Sequence, residues 1–234
     1  MRNIKEALKE LQEKMGYFYQ DEDLLKQALT HSSFANEQKI NKLRDYERLE
    51  FLGDAVLELV TSEFLYMKNE NLLEGELTRM RASMVCEPAL AYCARDIGLG
   101  NYVMLGKGEE ATGGRKRDSI TSDVLEAVIG SIYLDGGLES AKKFIYQFVM
   151  SDLEHKILFL DSKTLLQEEV QKQNNAQLHY ELVGEHGPDH NKEFFVNVYL
   201  NNALIGSGSG KTKKSAEQQA AYNALIKQKG MDMS

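Results

Sequence analysis

Apolar residues recur at three- and four-residue steps through most of the first 160 positions of this chain. That spacing predicts helices with one buried face. The stretches "IKEALKELQEKM", "DLLKQAL", "ERLEFLGDAVLELV", "SEFLYM", "ELTRMRASMV", "ALAYCARDIG", "TSDVLEAVIGSIYLDG" and "LESAKKFIYQFVMSDLEHKI" all follow it. Segments rich in Gly and Asn, "NENLLEGE", "GLGNYVMLGKGEEATGGRKRDS" and "DGGLES", punctuate them. Strand patterning is almost absent here, so this half is expected to be all-α.

After about residue 160 the pattern changes. "SKTLLQEEVQKQ" is amphipathic at helical spacing, whereas "LHYELV", "EFFVNVYL" and "ALIGSGS" are short β-branched, aromatic and Gly-rich runs that suit strands. "SAEQQAAYNALIKQ" then returns to helical spacing, with Ser215 placed as its N-cap. The order α-β-β-β-α describes a small two-layer α+β domain. The expected architecture is therefore multi-domain: an all-α domain over 1–155, a linker over 156–162, and an α+β domain over 163–230.

A chain of 234 residues with 42% hydrophobic and 27% charged positions has room for two cores. It contains no apolar run of about 18 residues, the length that a membrane span requires. The N-terminal stretch lacks the apolar centre of a secretory signal, so the expectation is a cytoplasmic protein without a membrane partner. Cys86 and Cys93 have no histidine near them in sequence. They are read as two reduced, core-facing thiols.

The formal net charge is −8, which by itself argues against nucleic acid as a partner. Its distribution changes that picture. Residues 1–160 carry −7 and residues 161–234 only −1, and Lys211, Lys213, Lys214, Lys227 and Lys229 gather at the C-terminal end around a single acid, Glu217.

The helix "ERLEFLGDAVLELV" raises a chemical question, because it carries Glu47, Glu50, Asp54 and Glu58 among its apolar residues. At about 100° per residue the four acids fall within an arc of about 80°. Leu49, Leu52, Val56, Leu59 and Val60 lie across the helix from them. The acids thus form a face of their own. Two readings stand. One is a solvated acidic face, in which like charges repel by a few tenths of a kcal/mol per pair. The other is a shared metal site. "TSDVLEAVIGSIYLDG" places Asp123 and Glu126 on one face of a second, largely apolar helix, and burying carboxylates there is costly without a cation. All-oxygen ligands favour Mg²⁺ or Mn²⁺ over zinc. Such a site supports phosphodiester hydrolysis without a nucleophilic side chain. His31 and His155 stand alone and are read as structural or surface residues.

"ERLEFLGDAVL" (Glu47–Leu57) resembles the signature of the ribonuclease III family, and "GRKRDSITSDVLEAVIGSIYLD" resembles that family's second acidic motif. "KTLLQEEVQ", "GPDHNKEFFVNVYL" and "GSGSGKTKKSAEQQAAYNALIK" resemble the three parts of the double-stranded RNA-binding domain that ends its bacterial members. The resemblance implies Mg²⁺-dependent cleavage of double-stranded RNA by a homodimer, with Mn²⁺ as a substitute and no organic cofactor. The products would be 5′-phosphate and 3′-hydroxyl ends with short 3′ overhangs, and the role would be ribosomal and messenger RNA processing.

By position, the resemblance implies metal ligands at Glu50, Asp54, Asp123 and Glu126. It puts Glu47 with Asp54 and Glu126 among the catalytic acids, makes Glu74 a supporting acid, and returns Glu58 to surface charge. Phe51 lies beside the acids, away from the main apolar arc. The resemblance implies that it inserts into a partner subunit at the dimer interface.

RNA duplexes are read through phosphates and 2′-hydroxyls across the shallow groove. Thr164, Gln167, Glu168 and Gln171 share a helix face suited to that task, although a solvated polar face explains them as well. His190 lies in the turn "GPDH", from which it can reach a minor groove. Lys211, Lys213, Lys214 and Ser215 mark a helix N-terminus, where backbone N–H groups favour phosphate. Arg115, Lys116 and Arg117 offer further phosphate contacts near the acids. The rival reading is a non-catalytic double-stranded RNA-binding protein that retains the fold. Such a protein would be expected to lose ligand carboxylates, and all of them are present here.

Overall fold

The computed structural model describes residues 4–39, 44–151, 162–172, 176–187, 192–210 and 212–229. The chain divides into two compact units after Ser151.

The first unit is helical, as its periodicity predicts. Eight helices are described: α1 (Ile4–Met15), α2 (Glu22–Ala28), α3 (Ser32–Glu37), α4 (Glu47–Lys68), α5 (Glu74–Val85), α6 (Glu87–Ile97), α7 (Lys107–Ala111) and α8 (Asp118–Phe148). The only β pairing in this unit, among the described residues, is an isolated bridge between Thr30 and Met104. The first half of α8 is the centre of the unit. Val124, Leu125, Ala127, Val128, Ile129 and Ile132 are buried in it, because α2, α4 and α6 pack against it. A helix this largely apolar is stable only in such a place. Gly137, at φ 76°, breaks α8 where "DGGLES" predicted a boundary between two helices. Just before the break, Asp135 accepts hydrogen bonds from the Tyr17 hydroxyl (2.7 Å) and the Gln20 and Asp21 N–H groups. That tie fixes the chain after α1 to the core helix.

The second unit has α9 (Ser162–Gln171), an antiparallel sheet in the order β1 (Leu178–His186), β2 (Glu193–Leu200), β3 (Ala203–Gly210), and α10 (Lys213–Lys229). Alternation on β2 sends Val196 and Val198 inward against Leu166, Val170 and the alanine face of α10. A Cβ on Gly208 would lie 2.3 Å from the backbone nitrogen of Ala220. Glycine on the strand and alanine on the helix therefore bring the two backbones together.

Three details depart from the sequence reading. α10 begins at Lys213, and its cap is Thr212: Thr212 N–H donates to Ser215 Oγ and Ser215 N–H to Thr212 Oγ1, each at 3.0 Å. Ser215 is the inner member of this reciprocal cap rather than the N-cap itself. Cys93 is buried, but Cys86 is only half-buried. It precedes α6 and donates its thiol to the Ser83 carbonyl; no disulfide joins the two. Leu59, placed on the apolar arc of α4, is 57% exposed, because its side of the helix opens into a cleft against α5.

Candidate active site

The acids of α4 meet those of α8 because two glycines let the helices touch. A Cβ on Gly53 would stand 1.8 Å from the Glu126 carbonyl oxygen, and one on Gly130 would stand 2.2 Å from that of Leu49. No larger residue fits either position without separating the backbones. Gly53 lies one residue before Asp54, and Gly130 four after Glu126. The closest approach of the helices therefore falls at the acids.

Ligand atoms of Glu50, Asp123 and Glu126 all lie within 4.8 Å of one another, and each of the three residues is half-buried. Glu47 and Asp54 are exposed at the same end of α4. The electrostatics show how tightly the group is assembled. Burial, and then the charges of Asp123, Glu47, Asp54 and Asp45, push the Glu50 carboxyl up to about 7. Burial followed by the charges of Asp54, Glu50 and Asp123 pushes Glu126 up to about 8. Asp123 is raised too, mainly by burial, against hydrogen bonds from Tyr46 and Ser122 and the influence of His31. Asp54 thus acts on both neighbours although it stands outside the tight trio.

The donor set is all carboxylate oxygen, with no thiol or imidazole among the three. Hard divalent cations take oxygen ligands at about 2.0–2.6 Å, so oxygens this close can share one ion. Desolvated like charges are also the situation that a cation relieves. The residues fit a divalent metal.

Other predicted residues fall in different surroundings. Glu74 opens α5, accepts a hydrogen bond from Thr78 (2.9 Å), and lines the cleft of about 480 Å³ that also exposes Leu59 and Tyr66. It is not in the carboxylate trio. Phe51 is 81% exposed, a large apolar side chain left in solvent beside the acids. Glu58 sits 3.8 Å from Arg81, which agrees with its reading as surface charge. Arg115 and Arg117 hold Glu110 and Glu109 in ion pairs, and Arg115 also donates to the Gly100 and Val103 carbonyls. These two arginines shape a loop, and only Lys116 of the three projects unpaired among the described residues.

In the second unit, Thr164, Gln167, Glu168 and Gln171 line one hollow of about 460 Å³ with Lys163 and Tyr180. Lys213, Lys214 and Ser215 are exposed in the first turn of α10. His190, Lys211 and His155 lie outside the described residues.

Comparison with known proteins places this geometry. The family model described as Ribonuclease-III-like matches residues 21–153, more than half of the chain. The chain belongs to the ribonuclease III family. The double-stranded RNA binding motif matches residues 162–228. Proteins named Ribonuclease 3 from Bacillus cereus (strain G9842) and Bacillus anthracis (strain CDC 684 / NRRL 3495) are each 49% identical over 227 residues, covering 96% of this chain and 93% of the relative. A solved nuclease domain of ribonuclease III from Campylobacter jejuni, described as flexible in a region involved in dimer formation, is 40% identical. It superposes with a TM-score of 0.58 over 62% of this chain and 97% of its own. The ribonuclease III fold thus carries the acidic trio on the two helices that the motifs named.

Periodicity did not reveal everything that builds the site. Gly53 and Gly130 were missed, although a glycine inside a long helix is itself a sign of close approach. Tyr46 was missed as well. It is 5% exposed and donates its hydroxyl to Asp123 at 3.4 Å, and its phenol is pushed above the ordinary range by burial and by the Asp123 and Glu50 charges. A tyrosine just ahead of an acidic helix carries no periodic signal that would have found it.

Proposed function

We propose that this chain, a double-stranded RNA endoribonuclease by family, cuts both strands of an RNA duplex as a Mg²⁺-dependent homodimer. The reading assigns catalysis to residues 1–155 and duplex gripping to residues 163–230, with 156–162 between them. The observation that carries it is the convergence of Glu50, Asp123 and Glu126 within 4.8 Å, from two helices locked at Gly53 and Gly130.

Glu50, Asp123 and Glu126, with Asp54 beside them, would hold the ion; Mn²⁺ suits the same oxygens. When bound, the metal supplies a water activated toward hydroxide and neutralises charge on the phosphate. The protein's part is to fix the carboxylates on rigid helices, so that little reorganisation is left for the reaction. Glu47, Asp54 and Glu126 are the acids we assign to catalysis. Glu74 takes a supporting role from the cleft edge. The half-buried setting of the trio limits screening by bulk water, and Asp54 and Glu47 beside it are exposed, within reach of an arriving duplex.

Thr164, Gln167, Glu168 and Gln171 supply hydrogen-bonding groups for the 2′-hydroxyls of a shallow groove. His190 reaches the minor groove from its turn, and Lys211, Lys213, Lys214 and Ser215 supply the phosphate contacts. These contacts carry little base information, so sequence preference is weak. Phe51, exposed beside the acids, is the side chain a partner subunit would cover. Two subunits then set two acidic clusters along one duplex, as staggered cuts with 5′-phosphates and short 3′ overhangs require. Precursors of ribosomal RNA and structured messenger regions are the substrates this reading implies.

The test is long duplex RNA incubated with Mg²⁺, with Mn²⁺, and with EDTA. Cutting with either ion and none in EDTA is expected. Firm binding with no cutting at any ion concentration would overturn the enzyme reading in favour of a non-catalytic RNA binder.

A further inference from the structure

Tyr46 immediately precedes α4, and its surroundings fix it at every point but one. Its N–H donates to the Thr30 carbonyl at 2.9 Å, and its carbonyl accepts the N–H groups of Leu49 (2.8 Å) and Glu50 (2.9 Å). Thr30 is itself held by its hydroxyl on the Lys26 carbonyl at 2.7 Å and by its bridge to Met104. The Tyr46 ring is buried and meets the edge of His31, with centroids 5.6 Å apart and planes at 61°.

His31 is rigid for a reason that can be read atom by atom. Ser33 Oγ accepts the Gly106 N–H at 2.9 Å, so its own proton is available to His31 Nδ1, 2.7 Å away. The Ser33 N–H also donates to Nδ1, at 3.0 Å. With two donors aimed at it, Nδ1 is an acceptor and the ring proton sits on Nε2. The imidazole is therefore a fixed wall for the phenol ring rather than a free rotor. What remains of Tyr46 is its hydroxyl, and that points at Asp123 Oδ2 from 3.4 Å, a long contact of the kind that tightens when a catalytic site is loaded. Ser122 also lies 3.4 Å from Asp123, but its single proton has a shorter partner in the Ser119 carbonyl at 2.9 Å.

We propose that Tyr46 is the positioning residue of the site, setting Glu50 through its carbonyl and Asp123 through its hydroxyl from one braced point in the chain. The inference rests on the reading that these acids hold a divalent ion. Tyr46 touches neither substrate nor ion; it fixes where two carboxylates from different helices stand relative to each other. Groups that orient ligands in this way change metal affinity or activity by about 10- to 100-fold when removed.

The test uses the full chain and Mn²⁺ alone, titrated by calorimetry without RNA, for the parent, Tyr46→Phe, Asp123→Asn and the double variant. Tyr46→Phe keeps the ring against His31 and removes only the hydroxyl. The expected result is Mn²⁺ binding about tenfold weaker for Tyr46→Phe, with no further loss on adding it to Asp123→Asn. The metal-free melting temperature stays unchanged. Single-turnover cleavage slows while the affinity for duplex RNA in EDTA stays the same. Parent-like Mn²⁺ affinity in Tyr46→Phe overturns the proposal, as does a loss that adds in full to that of Asp123→Asn. A lowered metal-free melting temperature also overturns it, because the hydroxyl would then serve folding. If the parent itself binds no Mn²⁺, the metal reading fails and takes this inference with it.

Discussion

Glu126 sits where three carboxylates crowd together, and its substitution should separate function from stability. Glu126→Gln keeps the shape and removes one ligand carboxylate from the trio. Cleavage of duplex RNA is expected to fall by roughly 10³-fold, the scale of losing a main electrostatic contact in a site. Duplex binding in EDTA should hold, and above about pH 8, where Glu126 is ionised, the metal-free melting temperature should exceed the parent's, because a desolvated repulsion is gone. Calorimetric melting beside a gel-based cleavage assay reads both. Gly53→Ala works in the other direction. The added Cβ would stand 1.8 Å from the Glu126 carbonyl, so α4 and α8 must part. Overpacking of this kind costs about 1–3 kcal/mol. Both the melting temperature and the cleavage rate of that variant should drop.

Helices α4 and α8 act as one titrating element. Glu50 and Glu126 carry folded-state values of about 7 and about 8, above the ordinary carboxyl value of 4.5. The folded state then binds protons more tightly than the unfolded chain. By linkage the contribution of these groups to stability is greatest at low pH and is lost as pH rises from about 4.5 to about 8. In metal-free buffer the melting temperature of the parent should decline relative to Glu126→Gln across that window. An ion must displace those protons, so Mn²⁺ affinity should climb between pH 6 and pH 8. A pH-independent affinity by calorimetry would mean that the trio is ionised before metal arrives. In the second unit, the element to test is the first turn of α10. Replacing Lys213 and Lys214 with alanine should weaken duplex binding and lower the slope of log affinity against log salt by about 1–2. The slope is measured by fluorescence anisotropy at several salt concentrations.

At the scale of the whole molecule, the two units divide the work between cutting and gripping, and the net charge of −8 no longer argues against RNA. Of the net charge, −7 lies in residues 1–160, where the proposed cation site is, and only −1 in residues 161–234, where the proposed phosphate-contacting lysines are. Exposed Phe51 belongs to this scale because the role proposed for it involves a second copy of the chain. Phe51→Ala is expected to weaken self-association by about tenfold or more in sedimentation velocity, the effect of losing a buried aromatic anchor. An unchanged dimer would remove Phe51 from the interface.

The helical half, the α-β-β-β-α half and the four acids at their spacing were all legible in the chain. Each is a local periodic signal or a motif with a short span. Contacts between distant positions carry no such signal. That Gly53 meets the backbone of Glu126, that Tyr46 reaches Asp123, that Arg115 is spent on Glu110, and that Leu59 opens onto a cleft all depend on how elements far apart in sequence pack. Local residue preferences say which face of a helix is buried. Which neighbour covers that face, and how close it comes, follows from the packed core alone.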